Sequence, residues 1–374
     1  MLTARNILLN NSKEIIDWID RKNQSTKSGL NLLYCSVDVR ESDCKIAPVD
    51  INLFPSGFNN FSSAEHLKRL GYAFTDILKI GKKVGLLVEN FTRNKHYMEN
   101  VQILKQGLET QAAEVFLLTI DDHKVIAIDR DVELNDLDLI ILNNDLSSGC
   151  PEELMKLRRK VFPSPEFGWH NRKKHIHLGI YNDLVNEMVS DLNLDIDPWF
   201  FSTFIDRCKG VDFKNKIGIE EVAKKVEKML IKISEKYQVH KMKYEPHVFI
   251  KANNGTFGMG VMVAYSGDDV ININKKYRNS MSSIKHGLDN NDVIIQEGVQ
   301  TSKNFRDLPC EDVLYCFGED VFSNLVRYNS RKSNQQSLNA VGMAIETLDD
   351  FGIVDKIIGR LVNLTTKLES KILS

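Results

Sequence analysis

Lys251-Ala252-Asn253-Asn254-Gly255-Thr256-Phe257-Gly258-Met259-Gly260-Val261 is the stretch on which the fold turns. Val248-Phe249-Ile250 leads into it as a β-branched and aromatic run, and Val261-Met262-Val263 leaves it as an apolar one. The pattern predicts a strand, a glycine-rich loop and a second strand. Gly255, Gly258 and Gly260 permit positive φ and close approach of the backbone to a ligand. Such a loop can lay N–H groups over a polyphosphate while Lys251 neutralises charge from below. The G-x-x-G-x-G spacing is neither the Rossmann nor the Walker arrangement, and no helix obviously follows, as both would require. By itself the loop fits an ordinary hairpin equally well, so its meaning depends on the rest of the chain.

The 374 residues are enough for two or three domains and a large core. Hydrophobic residues at 42% and charged residues at 27% are ordinary for a globular protein. A net charge of −2 argues against a general nucleic-acid or membrane-surface binder, so anion recognition has to come from local clusters. The six cysteines, at 35, 44, 150, 208, 310 and 316, form no C-x-x-C pair and no zinc-finger spacing. That usage fits a reducing compartment. The N-terminal stretch lacks the apolar core and cleavage site of a secretory signal, and no apolar run approaches the roughly 18 residues of a membrane helix. The expectation is a cytoplasmic protein; the sequence leaves a homo-oligomer open.

Outward from the glycine stretch, the expected class is α/β. Residues 1–162 read as a mostly parallel α/β domain: Leu32–Val39, Val84–Val88, Val115–Ile120 and Leu137–Asn143 are strand-like. Ser62–Ile80 and Arg93–Ala113 between them have helical periodicity. Phe162-Pro163-Ser164-Pro165 marks a boundary. Residues 163–245 read as a linker and helical region, with helices over Tyr181–Leu192 and Glu220–Tyr237. Residues 246–374 read as antiparallel β closed by a helix over Thr347–Leu373, with a strand at Asp292–Glu297 and a hairpin of Asp312–Phe317 and Val321–Tyr328.

Four clusters offer chemistry. The first is the glycine hairpin with Lys251. In the second, Ile294-Ile295-Gln296-Glu297-Gly298-Val299, a strand ends in an amide, a carboxylate and a glycine, and its backbone can meet a purine edge. The third, Arg327 to Asn339, is dense in cations and amides; Arg327 can contact a transferring phosphate and Asn339 a hard cation. The fourth, residues 38–60, interleaves charged, amide and apolar residues with two prolines and reads as an ordered loop. Its Arg40 and Lys45 suit carboxylates, and Asp38, Asp50, Asn52, Asn59 and Asn60 suit ammonium or amide groups, an inventory matched to a zwitterionic amino acid. His170, His175 and His177 lack a cysteine or carboxylate to complete a zinc set; His170 or Arg172 better suits an anion.

Taken in order, these clusters resemble an ATP-grasp ligase, the family with an N-terminal α/β domain, a glycine-rich hairpin over the nucleotide, an adenine hinge and a late Arg/Asn cluster at the metal. More narrowly, D-V-R-E-S-D-C-K-I-A-P-V-D-I-N-L-F-P-S-G-F-N-N, P-E-F-G-W-H-N-R and K-A-N-N-G-T-F-G-M-G-V-M resemble the proteobacterial glutamate–cysteine ligases first described in iron-oxidising bacteria. The likeness covers nearly the whole chain. It implies ATP-dependent joining of L-glutamate and L-cysteine to γ-glutamylcysteine through an acyl phosphate, the first step of glutathione synthesis, with Mg²⁺ or Mn²⁺. By resemblance, Lys251, Gly255, Gly258 and Met259 would hold the phosphates, and Gln296, Glu297 and Val299 the adenine. Arg327, Lys251 and Arg40 would be catalytic, Asp312 and Asn339 metal ligands. Arg40, Lys45, Asp50, Asn52 and Asn59 would bind the amino acid. Gln335-Gln336-Ser337-Leu338-Asn339 departs from the family pattern, lacking the carboxylate that commonly precedes the metal asparagine. That departure leaves open another carboxylate–amine ligase, or a diverged nucleotide- or amino-acid-binding protein.

Overall fold

Three sheets organise the chain in the computed structural model, which describes residues 3–90, 94–255, 260–282, 290–348 and 351–374. One sheet has the order Lys124–Ala127, Glu114–Asp121, Lys83–Val88, Leu139–Asn143, Val161–Phe162. All its pairs are parallel except the one made by the 124–127 edge. Leu139–Asn143 is buried throughout, as a parallel strand covered on both faces must be. Helices Ala64–Ala73 and Lys95–Glu109 flank the sheet. The Ser63 side chain caps the first of them by accepting from His66 N at 3.1 Å. The expected helix over 62–80 is thus shorter, and it gives way to a 3₁₀ turn at Ile77–Lys79.

The second sheet is antiparallel and central, in the order Met343–Leu348, Asp320–Asn329, Leu308–Phe317, Tyr34–Glu41, Ile46–Asn52, with Asn304–Phe305 also on Leu308–Phe317. Two expectations are corrected here. Residues 38–60 are not one continuous loop: Tyr34–Glu41 and Ile46–Asn52 form a hairpin, with Asp38 opposite Asp50 and Ser36 opposite Asn52. Cys35, Val37 and Val39 alternate into the core while Ser36, Asp38 and Arg40 face the other way, the period of a strand with two dissimilar faces. The closing helix begins at Ile353 rather than Thr347, because Met343–Leu348 pairs with Asp320–Asn329 as the sheet's edge.

The third sheet is antiparallel, in the order Val261–Ala264, Val248–Ala252, Asp292–Glu297, Ile205–Lys209. It contains the strand pair predicted around the glycine stretch, in register Lys251 opposite Val261. Helix Ile219–Val239 buries Val222, Val226, Met229, Leu230 and Ile233, the expected apolar stripe. Helix Lys174–Asp191 starts seven residues before the expected one, and Lys174 N donates to Asn253 O at 2.7 Å. Strand pairing crosses the expected divisions of the chain, since hairpin 34–52 is hydrogen-bonded to Leu308–Phe317.

Candidate active site

The face of the central sheet that carries Ser36, Asp38 and Arg40 opposes the third sheet across a cavity. Its walls include Asp50, Asn52, Trp169, Lys174, Phe249, Lys251, Val261, Gln296, Glu297, Glu311, Arg327 and Asn339. Residues from both ends of the sequence therefore meet at one place. Lys251, at the end of its strand, donates to Val49 O at 2.8 Å. Burial pulls its ammonium down to about 8, even with Asp50 and Asp38 opposing the shift.

The floor is a chain of buried ion pairs. Arg40 Nε meets Glu311 Oε2 at 2.7 Å, and Arg327 Nη1 meets Glu311 Oε1 at 2.7 Å and Asp38 Oδ2 at 2.6 Å. Arg40 also donates to Val299 O at 3.1 Å and Gln336 O at 2.6 Å. Burial works against the Glu311 carboxylate, but Arg40 and Arg327 outweigh it and hold Glu311 below the usual range. For Asp38, burial wins over Arg327 and the carboxyl is raised. Arg327 is raised in turn, its two carboxylates outweighing burial. Its Nε is buried and has no acceptor, a donor available to an anion. Asp50 pairs with Lys174; burial opposes its charged form, yet Lys174 and Lys251 hold it well below the carboxylate range.

Other expected site residues lie elsewhere or serve another purpose. Lys45 is buried away from the cavity and pairs with Glu297 Oε1 at 2.7 Å. The Glu297 carboxylate also accepts from Trp199 Nε1 at 2.9 Å and Phe204 N at 2.9 Å, so it is satisfied by the protein. The backbone N–H groups of Glu297 and Gly298 are taken by Phe204 O and His247 O, both at 2.8 Å. Gln296 donates to Thr203 Oγ1 at 3.0 Å, and the Val299 carbonyl belongs to Arg40. These groups brace the strand end more than they offer it to a base. Asn59 lies beside a separate surface depression with Lys95 and Met98. Gly255 has φ +113°, which requires glycine, and does not line the cavity. Gly258 and Met259 lie outside the described residues.

Asp312 faces away from the cavity and pairs with Lys303. Successive strand side chains point to opposite faces, so it is Glu311 that lines the cavity with Asn339. The expected Asp312–Asn339 pair therefore does not make a metal site. Among the described residues no group of three or more His, Cys, Asp and Glu could hold a metal ion. His170, His175 and His177 are engaged separately, by Leu146 O, Asn253 Oδ1 and Glu369. Arg172 is committed to Glu369 and to Ile51 O.

Sequence reasoning passed over Glu311, Lys174, Trp169 and Phe249. Glu311 was legible only through strand parity, and the other three only through contacts made by folding. A family model described as glutamate-cysteine ligase (GshA) matches residues 5–353. The chain belongs to the glutamate–cysteine ligase family. A crystal structure of a candidate γ-glutamylcysteine synthetase from Methylobacillus flagellatus KT is 32% identical, covers 98% of this chain and 95% of its own, and superposes with a TM-score of 0.84. D-alanyl-alanine synthetase A from Vibrio cholerae O1 biovar eltor covers 78% of this chain and 82% of its own at 11% identity. Its TM-score is 0.38, too low to carry an argument. No curated protein sequence matches significantly. A ligase of this family is an ATP-dependent enzyme with small-molecule substrates and, typically, a divalent metal. Among the described residues, no helix is long and apolar enough to cross a membrane.

Proposed function

We propose that the cavity between the central and third sheets joins the γ-carboxylate of glutamate to the amine of cysteine at the expense of ATP. The observation that carries the residue roles is the meeting of Lys251, Arg40 and Arg327 with Asp38 and Asp50 around one cavity. A carboxylate does not condense with an amine in water, because its leaving group would be oxide. In the first step the γ-carboxylate oxygen bonds to the γ-phosphorus of ATP, and the bond to the β-phosphate oxygen breaks, releasing ADP. In the second, the amine of cysteine attacks the acyl carbon, inorganic phosphate leaves with the C–O bonding pair, and the amine loses a proton. No protein nucleophile is needed; positioning and charge stabilisation suffice.

In this reading Lys251 neutralises the phosphates, and Arg327, with its free Nε, stabilises the transferring phosphoryl group. Arg40 sets the orientation of Arg327 through their shared partner Glu311, and Asp50 and Asn52 face the amino acid. Mg²⁺, with Mn²⁺ as a substitute, is the divalent ion we assign to the ATP phosphates, where it would neutralise charge; Asp312 is left out of its ligands. The reaction is cytoplasmic in this reading. Steady-state ADP release should require both amino acids, since cysteine must clear the acyl phosphate before the next turnover, and should yield a γ-linked dipeptide by mass spectrometry. If glutamate with cysteine releases no more phosphate than ATP alone, the reading fails, and a screen of other carboxylate–amine pairs would separate a different ligase from a binding protein.

A further inference from the structure

Across the cavity floor runs a row of charges that these roles leave only partly used. Asp38 and Asp50 are Cα partners on adjacent strands, and adjacent strands lie about 4.8 Å apart. Asp50 is paired on its outer side with Lys174. Asp38 is paired on its far side with Arg327, which reaches across the intervening strand. The order is cation, anion, anion, cation. Lys174 is 7% exposed, so its charge is kept inside the protein. Its ammonium lies 4.8 Å from the ring centroid of Trp169. Trp169 lines the same cavity, is 1% exposed, and its indole Nε1–H has no acceptor. An unsatisfied buried donor is destabilising, a penalty that a ligand oxygen would relieve.

We propose that this row is a template for an α-amino dicarboxylate. The α-carboxylate lies on Lys174 and the Trp169 indole N–H, the α-ammonium on Asp50 and Asp38, and the γ-carboxylate toward Arg327. The assignment rests on the ligase reading and deepens it, by giving glutamate its subsite and its orientation. A monocarboxylate amino acid would leave one end of the row without an anion. The distal rather than the α-carboxylate is thereby presented to the cation assigned to phosphoryl transfer, which accounts for a γ-linked product. Before substrate arrives, Asp50 and Asp38 occupy the cations that the two substrate carboxylates will share.

The test compares wild type with Lys174→Met, which keeps the apolar stem, and Trp169→Phe, which keeps a ring and removes the N–H. Glutamate is compared with γ-aminobutyrate, which lacks only the α-carboxylate. Lys174→Met should raise the glutamate KM at least about ten-fold, as expected for a lost charged hydrogen bond, and leave the KM of ATP and cysteine within about two-fold. Its preference for glutamate over γ-aminobutyrate, read as the ratio of the inhibition constant of the latter to the glutamate KM, should shrink by a similar factor. Trp169→Phe should raise the glutamate KM several-fold, and it decides the matter if Lys174→Met does not fold. An unchanged glutamate KM, an unchanged preference, or an effect on cysteine instead would overturn the template. Wild-type protein with no glutamate-dependent ADP release would remove the ligase reading itself, whereas an active wild type with unshifted variants removes the template alone.

Discussion

Burial is the first cause holding the Lys251 ammonium down to about 8; Asp50 and Asp38 oppose the shift, and Lys174 and Arg40 reinforce it. A lysine with that value loses its charge within the range where an enzyme can still be assayed. The free protein should therefore bind ATP less well as pH rises past about 8, since the neutral amine no longer offsets phosphate charge. With both amino acids saturating, kcat/KM for ATP is expected to fall about ten-fold per unit above that value, the limiting slope for one lost proton. Lys251→Arg stays charged, so its profile should run flat across the same range. Ionisations of the substrates are common to both proteins and cancel in the comparison. Parallel profiles would take Lys251 out of ATP binding. The effect on stability has the opposite sign: between about 8 and the ordinary lysine value the unfolded chain binds more protons, so this group makes the fold more stable as pH rises.

Beside its apolar packing, helix Ile353–Leu373 is tied to two other elements through the buried carboxylate of Glu369. Glu369 accepts from Arg172 Nε at 3.1 Å and meets His177 Nδ1 at 2.6 Å, and the Arg172 and Glu369 side chains are 1% and 0% exposed. Arg172 also donates to Ile51 O at 3.0 Å, so the helix, the start of helix Lys174–Asp191 and hairpin strand Ile46–Asn52 share one contact. Glu369→Ala leaves a guanidinium buried without its partner, which should destabilise the protein by about 3–5 kcal/mol. A urea midpoint unchanged from wild type would mean that the pair carries no net stability. The same elements mark what could be read in the chain and what could not. The apolar runs of the parallel sheet were legible because burial on both faces removes polar residues from them. Of hairpin Tyr34–Asn52 only the first strand was legible, as Leu32–Val39, and it was assigned to the parallel sheet; one face of the hairpin is the cavity floor and carries Asp38, Arg40 and Asp50, charges that imitate a loop. Asp312 and Glu311 differ by one position, and only the pairing of Leu308–Phe317 decides which of them meets Arg327. The strand pair at Lys251 and Val261 was legible from local sequence alone, since neither strand needs a distant partner to reveal it.

At the scale of the molecule, the outcome of folding is set by segments far apart in sequence. Phe61 packs against Tyr315 and Phe322 with centroids 5.1 and 5.2 Å apart, and Phe74 packs against Phe317 at 5.2 Å. These edge-on pairs join the helical cover of the parallel sheet to the central sheet, so residues of 1–162 and of the C-terminal strands share a core cluster. Hairpin 34–52 supplies two of the strands on that central sheet. A fragment of residues 163–374 would therefore expose the open side of Leu308–Phe317, which an unpaired edge makes prone to aggregation. A fragment of residues 1–162 would leave the Phe58, Phe61 and Phe74 faces without Tyr315, Phe317 and Phe322. Produced separately, neither fragment should show a cooperative thermal transition by circular dichroism, and co-expressed they should recover one, together with ADP release if the cavity reforms. A cooperative melt of the 1–162 fragment alone would establish it as a domain in its own right, and the shared aromatic core would then be an interface between domains rather than the nucleus of a single folding unit.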